Sequence, residues 1–195
     1  MNTLVDRFPT TAEIDGVEYE LNTDFRVGVQ IMLAFEDTGL TSIDKQLVML
    51  HLLYKEIPPD LHKACELAVL FLNCGESPEG EANDTRGGRL YSFGKDAKYI
   101  YSAIRQTHGI DLEETGYLHW WKFCYLFLDL REDCFFQQML YLRRRKQDGK
   151  LTKEERMTYY RMEDILSLPE EKDAEQRAAE NAFVAQITSS SDGRS

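Results

Sequence analysis

The stretch GYLHWWKFCYLFLDL, residues 116–130, leaves this chain little freedom. On a helical wheel at about 100° per residue, His119, Lys122 and Asp129 fall on one narrow line, with Leu126 between them. The rest of the circumference is apolar. Leu118, Trp121, Tyr125 and Leu128 cover one side, and Trp120, Phe123 and Phe127 the other. A helix that is hydrophobic nearly all round belongs in the middle of a domain. The longest apolar run, Leu118 to Leu128, is broken by His119 and Lys122 and falls well short of the ~20 residues that span a bilayer. No membrane span is expected. Adjacent tryptophans project about 100° apart on a helix, so Trp120 and Trp121 cannot form one stacking platform. One ring is expected to face the core and the other to meet a second helix or a partner.

Such a helix needs a domain around it, and 195 residues with 43% hydrophobic content supply one sizeable core. Near the N-terminus, Ile14 is followed by Asp15-Gly16 and then by Val17, Tyr19 and Leu21 in alternation. Asp-Gly favours a two-residue hairpin turn, so a small β-hairpin is predicted over residues 12–21, with Val17, Tyr19 and Leu21 on one face. A first helix follows, capped within Asn22-Thr23-Asp24, apolar at Phe25, Val29, Met32 and Leu33, and stopped at Gly39. Ser42 is the expected cap of a second helix, with Leu47, Leu50, Leu53 and Tyr54 inward. Pro58-Pro59-Asp60 interrupts it before a third helix that ends at Gly75.

Residues 75–90, rich in Gly, Glu, Asn, Asp and Pro, read as a flexible loop. Beyond it a helix carries Ala97, Ile100, Tyr101 and Ile104 in period and stops at Gly109. Asp111 to Glu114 offer a start for the aromatic helix, and a further helix runs to Asp148-Gly149. Thr152-x-x-Glu155 is a capping box for a last helix that Pro169 ends. The fold class expected is mainly α: a single helical domain over residues 1–168, of six to seven helices plus the hairpin. Residues 169–195 are expected to form a C-terminal extension, partly helical and partly disordered.

The chemistry such a chain can carry is limited. Cys65, Cys74, Cys124 and Cys134 include no CxxC knuckle, so reduced thiols rather than a zinc site are expected. His51 and His62 read as ordinary helix-surface or core-edge histidines. His119 has no orienting partner of the kind a general base needs, and no GxSxG, HExxH or GxxxxGK pattern occurs. No catalytic, cofactor-binding or metal residue is assigned, and no cofactor. The N-terminal sequence has no basic region followed by an apolar one, so no secretion signal is read.

A net charge of −11 disfavours general affinity for nucleic acid or anionic membrane. The charge is uneven: Arg143 to Arg161 hold eight basic and three acidic residues. Cations at a helix C-terminus complement the helix dipole, so a nucleic-acid role for this run is disfavoured, and contact with an acidic protein ranks at least level with it. The candidate partner-binding residues are Trp120, Trp121, Arg143, Arg144 and Arg145.

Several segments taken in order, LNTDFR (21–26), EIPPDL (56–61), YSFGKDAKYIYSAI (91–104) and GIDLEETGYLHWWKF (109–123), resemble the gene-product-fifteen family of phages and prophages of Gram-positive bacteria. The resemblance runs from about Leu4 to Pro169. The 76–90 loop, the tail and the dense arginine run depart from it, so it places no role on the arginines. It implies a tail-module protein, encoded between tail-tube and tape-measure genes. That position is associated with tail assembly chaperones, which bind the tape-measure protein before the tube polymerises. The expected partner is therefore the tape-measure protein, with other tail proteins possible, in the host cytoplasm. The rival readings are a structural tail or head–tail connector component and a small nucleic-acid-binding regulator.

Overall fold

Local signals set where each element starts, and the computed structural model describes residues 2–77 and 88–169. The centre of the expected 75–90 loop and almost all of the 169–195 extension lie outside the described residues. The hairpin forms as predicted. Strands β1 (Thr11–Ile14) and β2 (Val17–Glu20) pair antiparallel with Ile14 opposite Val17. Asp15 and Gly16 both take positive φ, 53° and 79°, as a type I′ turn demands. Ile14 and Leu21 are buried, whereas Val17 at the hairpin tip is 52% exposed. The expected Val17–Tyr19–Leu21 face is therefore only partly an inner face.

Eight helices follow among the described residues: α1 (Phe25–Glu36), α2 (Ser42–Leu53), α3 (Leu61–Leu72), α4 (Ala97–His108), α5 (Trp120–Leu128), α6 (Phe135–Gln147), α7 (Lys153–Arg161) and α8 (Glu163–Leu166). Asp24 caps α1 and Asp60 caps α3. Thr152 and Glu155 close a reciprocal capping box on α7. A second such box, Thr41 with Asp44, starts α2, so the cap lies one residue before the expected Ser42. The eighth helix arises because the last predicted helix breaks at Met162, whose φ of −110° leaves the helical region.

A larger correction concerns residues 111–119. Asp111 does not start a helix; its carboxylate accepts from the Glu113 N–H and the Tyr101 hydroxyl, forming a side-chain turn. The helix begins only at Trp120, with His119 as its cap and Asp129 at its other end. Two residues of the supposed polar line are thus terminal positions, and of the three only Lys122 lies within the helix, where it is exposed.

Helix α5 packs on α1 and α4, α2 joins α1 to α3, and α4 also contacts α6. The main core runs from Ile14 through Ile31, Met49, Leu53 and Ile104 to Phe123 and Phe136. Met139, Tyr159 and Leu166 make a smaller cluster where α6, α7 and α8 meet. Two inward faces differ from those predicted. Helix α1 buries Phe25, Gly28 and Ile31 while Leu33 is 40% exposed. Helix α2 buries Met49, Leu50 and Leu53 while Leu47 is 44% exposed. No helix among the described residues is long and apolar enough to cross a membrane.

Candidate functional site at the tryptophan pair

Two helices start at one point. The Trp120 N–H donates to the Thr23 carbonyl at 2.7 Å, and the Phe25 N–H donates to the Leu118 carbonyl at 2.8 Å. Asp24 and His119 therefore face each other as a short antiparallel bridge, each capping its own helix. Thr23 and Tyr117 share a hydroxyl hydrogen bond of 2.7 Å, and the Arg26 guanidinium donates to the carbonyls of Leu112 and Thr115. The LNTDFR and YLHWW segments are thus the two halves of one backbone junction.

From this junction both indoles reach the end of α3. Trp121 Nε1 donates to the Phe71 carbonyl at 2.7 Å, and Trp120 Nε1 donates to the Leu72 carbonyl at 3.0 Å. The last four carbonyls of a helix lack intrahelical partners unless something else supplies them. Here all four are satisfied. Asn73 N–H reaches Val69, Gly75 N–H reaches Leu70 and Cys74 N–H reaches Phe71, and the indoles add the bonds to Phe71 and Leu72. The bonds from Cys74 and Gly75 are the two bonds of a Schellman motif, which puts Cys74, at φ 57°, in the left-handed position usually held by glycine. A buried Trp needs a partner for its N–H, and the helix end needs donors. Each deficit fills the other.

Next to this clamp lies a groove of about 800 Å³, walled by Met32, Phe93, Phe123, Phe127 and Leu128, with Cys74 and Cys124 also facing it. That volume lies within the range of ordinary ligand pockets, and the lining is chiefly apolar. Leu128 is 75% exposed at its edge. Glu36, at the end of α1, fixes the Ser92–Gly94 segment, whose Phe93 ring packs on Phe127 of α5. Its carboxylate accepts from the Ser92 hydroxyl at 2.5 Å and from the backbone N–H groups of Phe93 and Gly94. Burial raises the Tyr91 phenol above its ordinary value. Interaction between the Cys74 and Cys124 thiols eases proton loss at Cys74 and opposes it at Cys124.

The five residues expected from sequence to contact a partner are not brought together. Trp120 and Trp121 are 3% and 5% exposed, with both polar atoms engaged internally. Both rings lie inside and both meet a second helix, α3, so neither is presented to a partner. Arg143 is also buried, paired with Asp96 between α4, α6 and α8. Arg145 is held by Glu155 at 2.8 Å and by the Lys150 carbonyl, and Arg144 faces outward. Sequence reasoning passed over Gly28, Glu36, Cys74 and Asp96. A glycine inside a helical pattern and a cysteine directly before a helix-ending glycine were the available signals. Among the described residues, no group of three or more His, Cys, Asp or Glu side chains is placed to hold a metal ion.

His119 gives the junction a pH dependence. Its Nδ1 accepts from the Trp121 N–H at 3.1 Å, so Nε2 carries the proton and donates to the Pro9 carbonyl at 3.0 Å. Only the neutral ring makes both bonds. Burial among Phe8, Phe71 and Trp121 lowers its pKa. The unfolded chain then binds the proton more readily, so this contribution is present above the unfolded value of about 6.5 and is lost as pH falls from there through the folded pKa. Urea unfolding at stepped pH is expected to show a midpoint that drops on acidification from 7.5 to 5 in the native chain. In His119→Asn, which keeps a capping side chain, that part of the drop disappears. An unchanged drop in the variant would assign the pH dependence to other groups.

Comparison with curated proteins and with solved structures returned no match. A family model described as Bacteriophage Gp15 protein matches residues 4–168. That span contains the hairpin, all eight described helices, the α1–α5 junction and the indole clamp. On that match over most of its length, the chain belongs to the bacteriophage Gp15 family, which associates it with the phage tail module.

Proposed function

We propose that the protein is a tail assembly chaperone that binds the phage tape-measure protein in the host cytoplasm and keeps it soluble until the tube forms around it. The observation that carries this reading is the apolar groove beside α5, with Leu128 exposed at its edge and a rigid floor set by the indole clamp. Amphipathic helices are recognised by laying their apolar face into such a groove, and tape-measure proteins are long and helical. The net charge of −11 supports the same reading, since it helps a carrier of apolar segments stay soluble. Family membership supplies the tail-module setting.

Co-expression with the tape-measure protein of the same phage is expected to raise its soluble fraction and to yield a complex in pull-down. Leu128→Glu, an exposed change at the groove, is expected to weaken that complex while leaving the fold intact. A tape measure that is no more soluble and forms no complex would overturn the proposal. Stoichiometric protein in purified virions would identify a structural component instead.

A further inference from the structure

Cys74 stands in the left-handed C′ position of α3, and Gly75, the residue that takes this conformation without strain, stands one place later. A non-glycine residue kept there calls for a reason, and the side chain itself offers one. Cys124 lies one turn into α5 from Trp120. The indole bonds to Phe71 and Leu72 fix that turn against the last residues before Cys74. Both thiols are half-buried on the wall of the same groove, and each shifts the titration of the other. Cys134, by contrast, is fully enclosed, and Cys65 sits on α3 away from the groove lining.

We propose that Cys74 and Cys124 form a thiol-modification site that low-molecular-weight disulfides convert into an intramolecular disulfide. The Cys74 thiolate attacks one sulfur of the small disulfide, forming a mixed disulfide and expelling one thiolate. Cys124 then gives up its proton and attacks the Cys74 sulfur, and the second small thiolate leaves. Two protein thiols are oxidised, one small disulfide is reduced to two thiols, and the protons balance. The new bond ties the end of α3 to α5 along the groove, adding a covalent staple beside the indole clamp.

The reduced full-length protein is incubated with oxidised glutathione, free thiols are blocked by alkylation, and the non-reduced digest is mapped by mass spectrometry. Expected is a loss of one pair of hydrogens from the intact mass, with a cross-linked peptide joining Cys74 to Cys124 and with Cys65 and Cys134 alkylated. Cys124→Ser is expected to stop at the glutathione adduct on Cys74, and Cys74→Ser to give no cross-link. The proposal is overturned if the natively folded wild type keeps all four thiols, if Cys74 accumulates glutathione without resolving, or if the cross-link involves Cys65 or Cys134. The wild-type map decides the matter even if a variant fails to fold.

Discussion

Gly28→Ala is expected to lower stability by about 2–3 kcal/mol, an overpacking cost, although alanine in a helix interior ordinarily gains about 1 kcal/mol over glycine. The sign reverses because of what lies above this position. A Cβ built on Gly28 would stand 2.1 Å from Trp120 Cε3, 2.4 Å from Cδ2 and 2.7 Å from Cζ3, inside the indole. Trp120 has nowhere to retreat. Its Nε1 is fixed to the Leu72 carbonyl, its ring stacks on Phe123 at 5.6 Å, and it is 3% exposed. Either α1 moves away from α5 or the indole abandons α3. For a domain of this size the melting temperature should fall by roughly 5–10 °C, read by calorimetry or circular dichroism. Combining Gly28→Ala with Trp120→Phe should cost less than the two single changes added together, because the smaller ring vacates the space the methyl needs. A neutral or stabilised Gly28→Ala protein would refute the close packing of α1 on the indole.

That packing also shows where the sequence was legible and where it was not. Helix starts carry short-range signals. Asp24, one of the three caps offered, Thr152 and the Asp15-Gly16 turn act as read, while Asp60, expected only as part of a break, caps α3. Asp111 carries the same kind of signal yet makes a free-standing turn, because Tyr101 on α4 captures its carboxylate. The cap of α5 went instead to His119, a residue no capping rule favours, since the bridge to Asp24 fixes its backbone. The aromatic helix was identified as central from its composition alone, and Trp120, Trp121 and Phe123 are all buried. The purpose of its tryptophans was not legible, because their partners are backbone carbonyls of Phe71 and Leu72, about fifty residues earlier, and carbonyls have no sequence signature. The inward face of α1 was misplaced for a related reason. Glycine scores as no hydrophobe in a periodicity count, yet Gly28 is the point of closest approach.

The arginine run shows the same limit with larger energies, and Arg143→Met is expected to cost about 3–5 kcal/mol, the penalty for stripping one partner from a buried ion pair. Arg143, Arg144 and Arg145 are indistinguishable in sequence, but helical rotation sends them to different environments. Arg143 is 3% exposed and uses every donor of its guanidinium. Nη1 and Nη2 pair with Asp96 at 2.6 and 2.9 Å, and further bonds reach the carbonyls of Leu166, Leu90 and Ile165. Asp96, itself fully buried, accepts in addition from the Ser92 N–H and makes no capping bond to α4, the helix it precedes. Removing the guanidinium would strand a buried carboxylate and three carbonyls at once. The damage should concentrate where α8 is held to α4 and α6, so hydrogen exchange in residues 162–168 should rise before exchange in α5 does. Arg144→Met, one residue on and solvent-facing, should stay within about 0.5 kcal/mol of wild type. Replacing both members by apolar residues, Asp96→Leu with Arg143→Met, should recover part of the loss, since no charge is then left buried. Equal, small effects at Arg143 and Arg144 would mean that the run is a solvated patch after all, and that the Asp96 pair does not hold the C-terminal helices in place.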